Sequence, residues 1–237
     1  MKVLIFDIFG DYGHFRKFYT TSSPLTFSFP PPPTIYGILG AISGKEKNEY
    51  LNIFSGKTRV GIQFRNPIKK IRMGLNLVET KGTGLKRPLS CKNPRTQILT
   101  EFVKKPCYRI FIGHKDDNIL SALAENIELH KTVYTISLGL SELLSDFTFV
   151  GFLNAEEKQN NNFLELFTVV PFSLIQQNGV EVEDGKKYIK EKIPAEMEPK
   201  RIVTRYEDVL FDADGKTLKL NVKKYWELED GTKITFI

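Results

Sequence analysis

The chain has 237 residues, 41% of them hydrophobic and 26% charged, a balance that excludes disorder over the whole length. Its net charge of +6 favours a polyanionic partner without identifying one. The two cysteines, Cys91 and Cys107, stand in no CxxC or Cys/His spacing, which excludes a disulfide framework and a structural zinc site.

The first element predicted is a buried strand over Val3 to Phe9, apolar, β-branched and aromatic. Asp7 and Asp11 interrupt this run too early for a secretory signal. No later stretch approaches the roughly 20 apolar residues that span a bilayer, so a soluble cytoplasmic protein without membrane contact is expected. A glycine-bounded turn, Gly10 to Gly13, leads into His14-Phe15-Arg16-Lys17. The segment beyond is rich in Ser, Thr and Pro and ends in Pro30 to Pro33, which suits a rigid extended approach. Thr34 is the predicted N-cap of a helix. In it Ile35, Ile38, Leu39 and Ile42 make one apolar stripe. Gly37, Gly40, Ala41 and Gly44 make an opposite stripe almost without side chains. Each glycine costs about 1 kcal/mol relative to alanine, so that face is expected to be approached closely, by another backbone or by a sugar–phosphate chain.

Two alternating strands follow, Thr58 to Arg65 and Ile71 to Thr80. Each is predicted to turn an apolar face to helices, leaving the other, with Arg59, Arg65 and Arg72, basic or amide-bearing. Residues 81–97 lack apolar periodicity and carry Lys81, Lys86, Arg87, Lys92 and Arg95 with no acid, an exposed basic loop or hairpin tip. From Lys57 to Lys105 there are 13 lysines and arginines and two acids, a local charge of +11, while the remainder carries −5. One-signed charge confined to a fifth of a chain points to nucleic acid. Ile98 to Val103 and Tyr108 to Ile112 read as strands, Asp116 caps a second amphipathic helix, and Val133 to Leu138 with Phe147 to Leu153 supply a closing strand. That order is close to the βαββαβ ferredoxin-like plan of RNA-recognition modules, an α+β fold. The first domain is expected over residues 1–153. Residues 154–237 are expected to form a small antiparallel β region, with hairpin turns at Asp214-Gly215 and Asp230-Gly231.

Gly13-His14-Phe15-Arg16 and Pro32-Pro33-Thr34-Ile35-Tyr36-Gly37-Ile38-Leu39-Gly40-Ala41 resemble the Cas-five (Cas5) family of the RAMP superfamily. Thr100-Glu101-Phe102, Pro106 to Ile110 and Leu138-Gly139-Leu140-Ser141 fit as well, nearest the type I-B branch. Members of that family bind the 5′ handle of the guide RNA in type I CRISPR Cascade complexes. The resemblance implies a ferredoxin-like domain with a protruding basic hairpin, the thumb, here Lys81 to Arg95. It also implies contacts to the backbone and large subunits, and through them indirectly to target DNA. Candidate phosphate ligands are Arg16, Lys17, Lys86, Arg87 and Arg95, with Lys81 and Lys92 beside them and the helix start at Thr34 for one further phosphate. His14 and Gly37 lie on the same expected surface, and Phe15 or Tyr36 would stack on bases.

No cofactor or metal is implied, and a non-catalytic subunit is expected. One branch of the family cleaves precursor RNA without metal, using a tyrosine, a lysine and a histidine, and Tyr36, His114 and Lys115 are the set this sequence offers for it. The bland alternative for His114-Lys115 is a turn at a helix start. A general RNA-binding factor unrelated to CRISPR would explain the charge equally well, but not the proline-rich approach to a glycine-faced helix.

Overall fold

The computed structural model describes residues 1–78 and 95–237. Val3, Leu4, Ile5, Phe6 and Ile8 are all buried, so β1 (Lys2–Gly10) is an interior strand with no solvent face. It is followed by β2 (Tyr12–Gly13), α1 (Pro32–Ser43), α2 (Tyr50–Phe54) and β3 (Thr58–Phe64). Next come β4 (Lys70–Val78), β5 (Arg95–Lys104), β6 (Cys107–His114), α3 (Asp117–Glu128) and β7 (Ser145–Gln159). The C-terminal part supplies β8 (Leu164–Leu166), β9 (Val170–Pro171), β10 (Ile175–Val180), β11 (Tyr188–Met197) and β12 (Val203–Asp212). It ends with β13 (Leu218–Val222), β14 (Lys224–Leu228) and β15 (Lys233–Ile234).

The main sheet is antiparallel, in the order β15-β14-β7-β1-β6-β3. Leu4, Phe6 and Ile8 pack in one cluster with the predicted stripes of α1 and α3, including Ile35, Leu39, Leu120 and Ile127. Val3 and Ile5, pointing the other way as strand alternation requires, form a second cluster with Phe111, Leu228 and Ile234. Both faces of the sheet are therefore covered. The second face of β3 carries exposed Arg59 as expected but is partly covered by the C-terminal strands: Arg59 lies 4.7 Å over the Trp226 ring, and a Cβ at Gly61 would stand 3.1 Å from the Thr235 carbonyl.

Two further expectations change. β4 does not join the main sheet; it pairs with β5 from Lys70↔Val103 to Val78↔Arg95, and β5 pairs at its base with β2. The apolar positions Ile71, Met73 and Leu75 of β4 are half-buried and outside the core cluster. Helix α1 starts two residues before Thr34, with Pro32 and Pro33 in its first turn. A proline there loses nothing, because its missing N–H would have no helical partner and its fixed φ suits the helix. Pro31 is the cap residue, extended at φ −59° and ψ 159°, with no side-chain cap bond. By contrast Asp116 caps α3 as expected, accepting from the Asn118 N–H at 2.9 Å.

The sequence division at residues 153 and 154 falls inside β7. Val169, Ile193, Val209 and Phe211 belong to the same cluster as β1, α1 and α3, so the C-terminal part shares the main core. β11, β12 and β9 form one small sheet and β10, β13 and β8 another. Asp230-Gly231 closes the β14–β15 hairpin, as expected. Asp214-Gly215 instead links strands of different sheets, with the Asp212 carboxylate accepting from the N–H groups of Asp214 and Lys216.

Candidate nucleic-acid interface

A groove of about 760 Å³ opens between the loop from His14 to Phe27, α1 with Tyr50 beside it, the β4–β5 hairpin, residues 135–142 and residues 194–203. The local sequence explains each wall. A bridge between Arg16 and Thr26 folds the first loop back on itself, and the Thr26 hydroxyl accepts the Phe15 N–H at 2.8 Å. Two carboxylates then clamp that loop to the body. Glu101 accepts the Thr26 N–H at 3.3 Å, and buried Glu191 accepts the Ser28 N–H at 3.2 Å while meeting Lys17 Nζ at 2.5 Å. At residue 139 only glycine fits, since its φ is +104° and a Cβ would lie 1.8 Å from the His14 carbonyl oxygen.

His14, Phe15, Arg16, Thr34 and Gly37, singled out from sequence, all line this groove. His14 is buried. Its Nδ1 donates to the Glu101 carbonyl at 2.7 Å, the ring tilts against Phe102 at 5.5 Å, and burial lowers its pKa. Arg16 is exposed, donating to the Thr20 carbonyl at 3.0 Å. Gly37 has no atom within 4 Å of where a Cβ would stand, so the glycine stripe divides: Gly37 floors the groove, whereas at Gly40 the Cβ would come 2.8 Å from that of Tyr50.

Other expected roles do not fit the geometry. Tyr36 and Phe15 are buried, at 2% and 3% exposure, so neither presents a ring to a base. The Tyr36 hydroxyl donates to the Thr58 carbonyl at 3.4 Å, and burial raises its pKa. Lys17 is engaged by Glu191; burial lowers its pKa, but the Glu191 hydrogen bond and charge outweigh that and the net shift is upward. The start of α1 offers no free amide to a phosphate, because Pro31, Pro32 and Pro33 have no N–H and Thr34 N–H donates to the Pro31 carbonyl at 2.8 Å. Arg95 sits at the far end of the described hairpin, paired with Val78. Lys81, Lys86, Arg87 and Lys92 lie outside the described residues. His114 is also buried: its Nδ1 accepts the Asp116 N–H at 2.9 Å and Nε2 lies 3.2 Å from the Ile53 carbonyl. None of Tyr36, His114 and Lys115 lines the groove.

Sequence reasoning missed Phe18 and Arg201, which line the groove, and Tyr19 and Tyr206 beside Phe18. The Phe18-Tyr19 pair directly follows Arg16-Lys17, and that adjacency of aromatic and basic residues was the available signal. Among the described residues, neither Arg16 nor Arg201 forms an ion pair with a carboxylate. No group of three or more His, Cys, Asp or Glu among them could hold a metal ion, and no helix among them is long and apolar enough to cross a membrane.

Among solved structures, the chain is similar to the crystal structure of a CRISPR protein from Archaeoglobus fulgidus. The two are 14% identical, with a TM-score of 0.59 over 98% of this chain and 97% of that one. It is also similar to a chain of a CRISPR RNA-guided surveillance complex, at 8% identity and a TM-score of 0.52 over 92% and 91% of the two chains. At these identities the likeness is one of fold. No curated protein matches the sequence. The sequence model of the family described as CRISPR-associated protein (Cas_Cas5) matches residues 3–214. The chain belongs to the Cas5 family of CRISPR-associated proteins.

Proposed function

We propose that this chain is a non-catalytic, RNA-binding subunit of a type I CRISPR effector complex, working in the cytoplasm and holding the 5′ handle of the guide RNA in the groove. The observation that carries this reading is the convergence of His14, Arg16 and Arg201 with the open backbone at Gly37 on one concave surface. Arginines free of carboxylates suit phosphates, and a backbone without a Cβ admits a sugar–phosphate chain closely. The likeness to a chain of an RNA-guided surveillance complex supports the same assignment.

The strand order β7-β1-β6-β3, with α1 after β1 and α3 after β6, supports a ferredoxin-like core. The β4–β5 hairpin, inserted between the second and third strands of that core, is its thumb. The backbone and large subunits of the complex are the partners it would meet. A holding role rather than a cleaving one is supported by Tyr36 and His114, whose polar atoms are spent on protein carbonyls and amides and which lie away from the groove.

Titrating the protein with handle-containing guide RNA over a range of salt tests this. Affinity is expected to fall as salt rises. Arg16→Ala with Arg201→Ala is expected to weaken binding and to reduce the salt slope by about 1 for each phosphate no longer neutralised. Binding unchanged in that double variant would show that the RNA lies elsewhere than in the groove.

A further inference from the structure

Phe18 and Tyr19 are 53% and 59% exposed, and Tyr206 on β12 is 39% exposed. Three large rings left this open on one patch are unusual for a folded chain and point to something that covers them. They are not loose. Phe18 stands 4.9 Å from the Tyr206 ring and 5.1 Å from that of Tyr19, edge-on at 90°. Beneath it lies buried Phe27, tilted by 39° with centroids 6.5 Å apart. The loop carrying Phe18 and Tyr19 is anchored by the Lys17–Glu191 pair, so the rings are held in place without a ligand.

We infer that Phe18, Tyr19 and Tyr206 form a stacking platform for an unpaired nucleobase of single-stranded RNA at the mouth of the groove. This deepens the groove assignment above and rests on it. Charge complementarity favours RNA over a protein segment as the occupant. Lys192 Nζ lies 5.5 Å from the Tyr206 ring centroid and has no carboxylate partner among the described residues. Arg16 and Arg201 line the same groove as Phe18. An exposed π-surface with a cation on one ring and arginines in the adjoining groove matches a ligand whose flat bases alternate with anionic phosphates, and such stacking tolerates any base.

The test uses the full chain and short single-stranded RNA oligonucleotides with 2-aminopurine at each position in turn. Binding is expected to quench the fluorescence at one position. Phe18→Leu with Tyr206→Leu, which keeps apolar volume, is expected to relieve that quench and weaken binding roughly ten- to a hundred-fold. Removing the base at that position from the RNA is expected to cost the unmodified protein a similar factor and the double variant almost nothing. That arm leaves the protein unaltered, so misfolding of a variant cannot imitate it. Quenching that survives in the double variant would overturn the platform, as would an abasic RNA bound as tightly as the intact one. If Arg16→Ala still weakened binding in those cases, the groove assignment would stand alone. Loss of association with a protein subunit, with fluorescence unchanged, would reassign the rings to a protein contact. No binding of any of these RNAs by the unmodified chain would remove platform and groove together.

Discussion

His14 is held at Nδ1 by the Glu101 carbonyl and shielded on one side by Phe102, an arrangement with a consequence for acid stability. Burial lowers its pKa from the ordinary 6.5, so above that pH both folded and unfolded chains carry it neutral. As pH falls below 6.5 the unfolded chain binds a proton first, and native stability declines. Urea unfolding at about pH 7.5 and about pH 5.5 is expected to show a larger loss in the unmodified protein than in His14→Gln; equal losses would mean that His14 does not titrate this way. At this scale the sequence was legible where backbone chemistry decided the outcome. Histidine, arginine and glycine positions 14, 16 and 37 all reached the groove. It was illegible for aromatic rings, because Phe15 and Phe18 are the same residue type three positions apart and only tertiary packing decides which is buried. The ion pair of Lys17 was hidden for a similar reason: its partner Glu191 lies far along the chain, and no local pattern announces the pair.

Helix α1 carries an internal comparison of two glycines. Alanine at Gly37 would meet nothing, so Gly37→Ala is expected to raise stability by up to about 1 kcal/mol while narrowing the groove and weakening RNA binding. Alanine at Gly40 would place its Cβ 2.8 Å from that of Tyr50, a clash that no side-chain rotation relieves. The same propensity gain is then outweighed by overpacking of about 1–3 kcal/mol, and Gly40→Ala is expected to be less stable. Thermal melts of the two variants decide it, and matching signs would show that the stripe is uniform. The helix itself was legible from its apolar spacing, but its start was not. Proline reads as a breaker in sequence, and only the position within the first turn makes Pro32 and Pro33 compatible with a helix. The strands β4 and β5 were likewise legible as strands. Alternation reports that a strand has two unlike faces, and does not say which sheet it joins.

For the molecule as a whole, residues 1–153 hold β1, α1, β3, β6 and α3 but lack Val169, Ile193, Val209 and Phe211, which complete their core. They also lack the end of β7, on which β14 pairs. A fragment ending at residue 153 is therefore expected to show no cooperative thermal transition where the full chain shows one. Phe211→Ala in the full chain is expected to cost about 3–5 kcal/mol. A fragment that melts cooperatively would mean the C-terminal strands are an accessory. The antiparallel β character of this region was legible, and so was the Asp230-Gly231 turn, but the division into short strands over three sheets depends on long-range pairing that local signals do not encode. The covered outer face of the main sheet bears on how such a chain can diverge. Val3, Ile5, Phe111, Leu228 and Ile234 answer to volume and hydrophobicity, so exchanges among apolar residues of similar size leave the fold intact. Change in ligand preference has to arise in the loops and hairpin around one end of the sheet, where lengths and side chains vary without disturbing the packed layers.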